Sequence, residues 1–171
     1  MARREASRLA LRSLFQAALA MVACTALETA VRAQDRLSQY LTQYQNETNP
    51  VRKARLLGQL GPLEIDKARM TFKAGEDEQA LAIITRYRDE VRITSDALTA
   101  TGVDAVKRPA GFKELQIGLR VTVRRLDDLI LTIPVDKRPW FRAVRSDLAD
   151  SENKLIDALF PTAEKNSKKQ Q

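Results

Sequence analysis

The stretch that decides the fold class, residues 76–101, reads EDEQALAIITRYRDEVRITSDALTAT. Its candidate inward-facing side chains recur at spacings of four, three, four, three and four residues, at Ala80, Ile84, Tyr87, Val91, Thr94 and Leu98. Such spacing places side chains on one face of an α-helix. The acidic residues Glu76, Asp77 and Glu78 open the stretch and suit the positive end of a helix dipole. The sequence therefore predicts a long amphipathic helix that ends at Gly102.

The same period of three to four residues extends over almost all of residues 34–161, and no clean alternating stretch competes with it. We therefore predict a single all-α domain with helices over about 35–47, 50–60, 62–74, 76–101, 112–133 and 136–160. The last three segments have similar lengths and short connections, which favour antiparallel neighbours. We expect an antiparallel bundle of three long helices, closed by the shorter N-terminal ones.

The boundaries of the short helices are predicted from two dipeptides. Asn49-Pro50 and Gly61-Pro62 each combine a residue that suits a helix end or cap with a proline that suits the first helical position. We interpret both dipeptides as a stop followed by a restart.

Residues 1–33 have the three parts of a secretory signal peptide. Four arginines occupy the first twelve positions, an apolar run extends to Leu27, and Val31-Arg32-Ala33 provides small residues before a cleavage point. The apolar run is too short for a typical membrane-spanning helix. We predict cleavage between Ala33 and Gln34 and export to the periplasm, the cell envelope or the medium.

The single cysteine, Cys24, leaves an alternative open. The string Met21-Val22-Ala23-Cys24 resembles the bacterial lipobox, and that resemblance implies cleavage before Cys24 and a lipid anchor on it. The other interpretation is that Cys24 is a small apolar residue of the signal core. Contact with a membrane is expected only if Cys24 is lipidated or the signal stays uncleaved.

The net charge of +7 does not indicate a nucleic-acid partner. Residues 1–33 carry +3 and residues 164–171 carry +2, so residues 34–163 carry only +2. Binding to phosphates needs basic side chains concentrated on one face, and along the body they alternate with acidic ones. We predict no nucleic-acid binding, and a disordered basic tail over 162–171.

The amino-acid composition lacks the residue types on which most catalytic mechanisms depend. The chain has no histidine, and its one cysteine lies in the predicted signal, so the usual general base, catalytic triads and imidazole or thiolate metal sites are missing. Asp147, Asp150 and Glu152 lie close together in sequence. They could hold a hard cation or share acid and base roles in an enzyme that uses carboxylates alone, or they could form a solvated helix face. We predict no enzyme activity, no catalytic or metal-binding residue and no cofactor.

The most distinctive aromatic cluster is Trp140-Phe141, with Arg138 and Arg142 on either side. Adjacent helical residues point about 100° apart. Core packing of both rings is the interpretation that the residue types favour. The alternative is an exposed Trp140 that forms, with Arg138 and Arg142, an interface to a protein partner or to membrane headgroups.

Residues 64–92 resemble one tetratricopeptide-type helical hairpin. The small, aromatic and glycine positions of that family are matched by Ala68, Phe72, Gly75 and Ala80. Glu64 and Tyr87 depart from the family pattern, and no second copy follows at a 34-residue period. The resemblance implies a helical hairpin that binds a peptide or protein and has no catalytic role. Together these features predict an exported, non-enzymatic helical protein that contacts an unidentified protein partner in the bacterial envelope or periplasm.

Overall fold

A computed structural model of the chain describes residues 35–161. This part of the chain contains five helices and no strand: α1 over 35–46, α2 over Pro50–Lys73, α3 over Asp77–Ala100, α4 over Phe112–Thr132 and α5 over Arg138–Leu159. The all-α prediction is confirmed. By its contacts the chain divides into residues 1–38 and residues 39–171, and α2 to α5 lie in the second unit. The predicted signal segment with Cys24, Ala33 and Gln34, and the predicted tail over 162–171, lie outside the described residues.

The four long helices form two hairpins that lie side by side. α2 packs against α3 and α4, and α5 packs against the same two helices. Ion pairs between the hairpins join residues that are 59 or 60 positions apart in sequence, namely Arg55–Glu114, Asp66–Arg125, Arg88–Asp147 and Asp77–Lys137. Because this separation stays constant along the helices, α2 runs parallel to α4 and α3 runs parallel to α5. Within each hairpin the helices are antiparallel.

The predicted short helices over 50–60 and 62–74 are wrong, because α2 continues through Gly61 and Pro62 as one helix of 24 residues. A proline inside a helix costs about 3 kcal/mol, since it has no N–H to donate to the carbonyl four residues earlier. The side chains of Leu57, Leu60 and Ile65 are fully buried on both sides of Pro62. Each of them stabilises the fold by about 1.5–3 kcal/mol. Packing of the continuous helix therefore outweighs the local stop signal.

The glycines of α2 serve close packing and not helix termination. A Cβ on Gly58 would lie 2.8 Å from the carbonyl oxygen of Glu114, and one on Gly61 would lie 2.8 Å from Cζ of Tyr87. Both residues are buried. α2 can approach α3 and α4 this closely only because these two positions carry no side chain.

The apolar face predicted for α3 is confirmed, and α4 and α5 bury apolar faces of the same kind. The buried residues of α3 are the six of the opening stripe. On α4 they include Leu115, Leu119, Val123, Leu126 and Ile130, and on α5 they are Phe141, Val144, Leu148, Leu155 and Leu159. The predicted cap at the start of α2 is also confirmed, because the Asn49 side chain accepts hydrogen bonds from the amides of Val51 and Arg52. The core therefore lies between the four long helices.

Candidate functional site

The turn between α4 and α5 is held firmly by its basic residues. Arg138 donates from Nε to the carbonyl of Ile133 at 2.8 Å and from Nη2 to the carbonyl of Leu131 at 3.2 Å. These carbonyls belong to the end of α4, where backbone acceptors lack helical partners. Lys137 forms an ion pair with Asp77 at the start of α3. Arg138, predicted as an interface residue, is therefore engaged in capping α4.

Trp140 and Phe141 point in different directions. Phe141 is 1% exposed and packs edge-to-face on Phe72, with ring centroids 6.0 Å apart, whereas Trp140 is 59% exposed. Core packing is thus confirmed for Phe141 and wrong for Trp140, because α5 turns its Phe141–Val144 face toward the core. The structure places Arg142 on the exposed surface next to this pair.

Trp140 is accompanied by two exposed aliphatic side chains at the same turn. Leu131 and Val135 are each 73% exposed. We call Leu131, Val135 and Trp140 the turn patch. Single exposed apolar residues are normal on a protein surface. Here three of them lie within ten residues, around a turn that hydrogen bonds tie to α4 and an ion pair ties to α3.

A second apolar region lies at the opposite end of the bundle. The segment between α3 and α4, with the end of α5, forms an open groove of about 380 Å³ that is lined by residues including Val106, Ile117 and Phe160. Phe160 is 73% exposed beside it. Lys113 is the one charged side chain that lines the groove, so its chemistry is that of an apolar contact surface.

The acidic residues of α5 do not converge on one site. Asp147 accepts a hydrogen bond from Arg88 on α3 at 3.0 Å, whereas Glu152 accepts from Gln116 and Arg120 on α4 at 3.0 and 3.2 Å. Asp150 is exposed. Within residues 35–161, no three His, Cys, Asp or Glu side chains are grouped so as to hold a metal ion. Asp147 and Glu152 therefore act as interhelical ion-pair partners.

A buried polar cluster between α2 and α3 was not predicted. The side chain of Glu64 is 1% exposed, and its Oε1 accepts a hydrogen bond from Arg86 at 2.7 Å. Glu90 lies one turn further along α3, with Oε1 3.9 Å from Nε of Arg86. The Oε2 atoms of Glu64 and Glu90 are both buried without a hydrogen-bond partner. We call Glu64 and Glu90 the carboxyl pair.

Burial dominates the electrostatics of this cluster. It raises the pKa of both Glu64 and Glu90, and the nearby charge of Arg86 only partly opposes the shift. The charge of Glu64 raises the pKa of Glu90 further, because two carboxylates in one site disfavour double ionisation. Ionisation of both carboxyls at once is therefore disfavoured relative to that of two separate glutamates.

Two tyrosines border the carboxyl pair. Tyr87 is fully buried and donates from its hydroxyl to the carbonyl of Leu57 at 3.3 Å, and burial raises its pKa. The hydroxyl of Tyr44, on α1, lies 3.0 Å from Oγ1 of Thr94. Nζ of Lys53 stands 4.8 Å from the centre of the Tyr44 ring. Tyr44, near the end of α1, thus contacts α2 and α3 beside the carboxyl pair.

The sequence contains a signal that could have located Glu64. Glu64 follows Leu57 by seven positions and Leu60 by four, and Ala68 follows it by four, so all four share one helical face. These four residues are buried. A carboxylate on an apolar face of this kind marks a buried titratable group.

Comparisons with known proteins do not assign the chain to a family. No protein-family model matches it, no curated protein matches it, and no solved structure matches it. Residues 64–92 cover the end of α2, the turn over 74–76 and most of α3, and the resemblance to a tetratricopeptide-type hairpin stays a prediction. None of the helices within residues 35–161 is long and apolar enough to cross a membrane.

Proposed function

We propose that this protein is an exported, non-enzymatic helical protein that acts through protein–protein contacts in the bacterial envelope or periplasm, and that the turn patch is its contact surface. The observation that carries this proposal is the exposure of Leu131, Val135 and Trp140 around one anchored turn. Binding energy at protein interfaces is concentrated in a few aromatic and apolar anchors. A turn that is already held by hydrogen bonds and an ion pair also loses less conformational entropy on binding than an unconstrained one.

The chemistry of the described residues supports contact in preference to catalysis. The α5 carboxylates Asp147 and Glu152 are tied to basic side chains of neighbouring helices. The chain also has no histidine and a single cysteine. Its polar side chains thus supply interhelical ion pairs, and its exposed apolar ones supply a surface for a partner.

Export is supported by the basic and apolar arrangement of residues 1–33. Mass spectrometry of the protein from the envelope fraction of the bacterium that produces it tests this part. The expected mature N-terminus is Gln34. An acylated N-terminal Cys24 would assign the tethered form instead, and an intact Met1 in the cytoplasm would contradict export.

Site-specific photocrosslinking in the producing cell tests the contact surface. A photoreactive benzoylphenylalanine is placed at position 135 or 140 of the full chain, and the matched control carries it at position 153, where the exposed polar residue Asn153 lies on α5. We expect a discrete crosslinked product from positions 135 and 140 and none from 153. Equal labelling from all three positions would contradict a role for the turn patch.

A further inference from the structure

The carboxyl pair places two carboxyl groups around one arginine, with the Glu64 side chain 1% and the Glu90 side chain 22% exposed. Glu64 and Glu90 together carry two negative charges when both are ionised, and the cation placed between them is Arg86 alone, within 2.7 and 3.9 Å of their Oε1 atoms. An isolated charge in the protein interior is costly, and a buried polar atom without a partner is costly as well. Both costs apply here, because the Oε2 atoms of Glu64 and Glu90 share the negative charge of their carboxylates and have no hydrogen-bond partner.

The other titratable and charged groups that face the pair do not remove this imbalance. α1 contributes Tyr44, and α3 contributes Tyr87, whose hydroxyl is committed to the Leu57 carbonyl. α2 contributes Lys53 and Lys67, which oppose the charge of Glu90 and of Glu64. Lys67 is exposed and Lys53 is engaged over the Tyr44 ring. From α4 the neighbouring group is the uncharged hydroxyl of Thr122.

We propose that Glu64 and Glu90 together bind a single proton, and that this proton controls how firmly Tyr44 of α1 is seated on α2 and α3. The proton comes from solvent and attaches to one carboxylate oxygen. It neutralises one charge and gives that oxygen an O–H to donate, at a place where the two Oε2 atoms have no hydrogen-bond partner. A proton suits the pair better than a second cation does, because the guanidinium of Arg86 already stands between the two carboxyl groups.

The link to α1 follows from positions along α3. Thr94, which holds the Tyr44 hydroxyl, lies one helical turn after Glu90, and Glu90 lies one turn after Arg86. Ionised Glu90 also disfavours ionisation of Tyr44, so its charge acts on the Tyr44 ring. When both carboxyls are ionised, the buried charge favours admission of water between α1 and α3. When one carboxyl is protonated, the direct contact of Tyr44 with Thr94 is favoured.

NMR of the full chain with carbon-13-labelled tyrosine rings tests the proposal. The chain has three tyrosines, and Tyr44→Phe identifies the Tyr44 signal by its loss. We expect this signal to shift between pH 4.5 and 8 in one step that fits a single proton. The step is lost in Glu64→Gln and in Glu90→Gln, and it persists in Glu78→Gln, a matched change at an exposed position of α3.

Two results would overturn the proposal: a Tyr44 signal that does not change between pH 4.5 and 8, or a step that persists in both glutamine variants of the pair. If either variant does not fold, labelling of the glutamate carboxyl carbons in the unsubstituted chain gives the answer. Glu64 and Glu90 must then titrate together and above the other glutamates. Titration of both with the exposed glutamates would also contradict the proposal.

Discussion

Gly118 of α4 lies against Gly58 of α2 with no room for a side-chain carbon on either residue. A Cβ on Gly118 would overlap the Cα and carbonyl oxygen of Gly58. The two residues are 60 positions apart, and their contact brings the backbones of two parallel helices together. This contact determines how closely the two hairpins pack.

Gly118→Ala is expected to destabilise the protein by about 1–3 kcal/mol, the usual cost of overpacking a tight site. On an open helix surface the same change would stabilise it by up to about 1 kcal/mol, because alanine has the higher helix propensity. Urea unfolding at neutral pH measures the difference, with Gln59→Ala on the exposed face of α2 as control. A Gly118→Ala variant as stable as the unsubstituted chain would contradict the close contact.

Trp140→Ala and Phe141→Ala are expected to differ sharply although the residues are adjacent. Removing the buried Phe141 ring costs about 3–5 kcal/mol, whereas truncating the exposed Trp140 side chain changes the free energy of unfolding by less than about 0.5 kcal/mol. Thermal unfolding followed by circular dichroism compares them. Similar losses in the two variants would mean that Trp140 belongs to the core.

The carboxyl pair is expected to make the protein more stable as the pH falls from about 7.5 toward 5. The pKa values of Glu64 and Glu90 are raised in the folded state. In the unfolded chain the pKa of a glutamate is about 4.3, and below that pH the stabilisation by the bound proton is fully present. The stabilisation is lost as the pH rises through the higher pKa values that the two glutamates have in the folded chain. Urea unfolding across this range should give a weaker pH dependence for Glu64→Gln. An unchanged pH dependence would contradict this expectation.

Glu114 is expected to have the opposite effect at lower pH. Burial alone would raise its pKa, but hydrogen bonds from the amides of Glu114 and Gly111, together with Arg55, hold its pKa below the usual value. Its contribution is therefore present above the unfolded pKa and is lost as the pH falls through the folded one. Glu114→Ala should cost about 1 kcal/mol at pH 7 and less at pH 3. Lys113→Ala, an exposed neighbour, serves as control, and an equal loss at both pH values would refute this role.

The sequence predicts those parts of the fold that depend on local periodicity. The α3 stripe from Ala80 to Leu98 is recovered completely, because a period of 3.6 residues depends on nearby positions only. The end predicted at Gly61-Pro62 is wrong, because the continuous helix buries Leu57, Leu60 and Ile65. It does so against helices whose facing residues, such as Glu114 and Thr122, lie far along the chain. A pattern of neighbouring residues such as Gly61-Pro62 contains no information about contacts with residues that are distant in sequence.

The candidate site was predictable in part for a related reason. Trp140 and Phe141 precede Val144 by four and three positions, and both spacings suit one helical face, so the sequence could not decide which ring is buried. The spacing of Leu57, Leu60 and Ala68 predicts that the helix face carrying Glu64 is buried. Glutamate, however, is a residue type that usually lies on the protein surface. Its Arg86 partner comes from another helix, and that pairing depends on the tertiary structure.

The constant separation of 59 or 60 residues between paired positions of the two hairpins has a consequence for folding. Bringing the hairpins together closes one loop of that length, and the entropy of closure grows only slowly with loop size. After the first pair has formed, every other pair falls into register without closing a further loop. Docking of the hairpins should therefore be an all-or-none step. A substitution that disrupts one contact between the hairpins should weaken the α2–α4 and α3–α5 interfaces along their whole length.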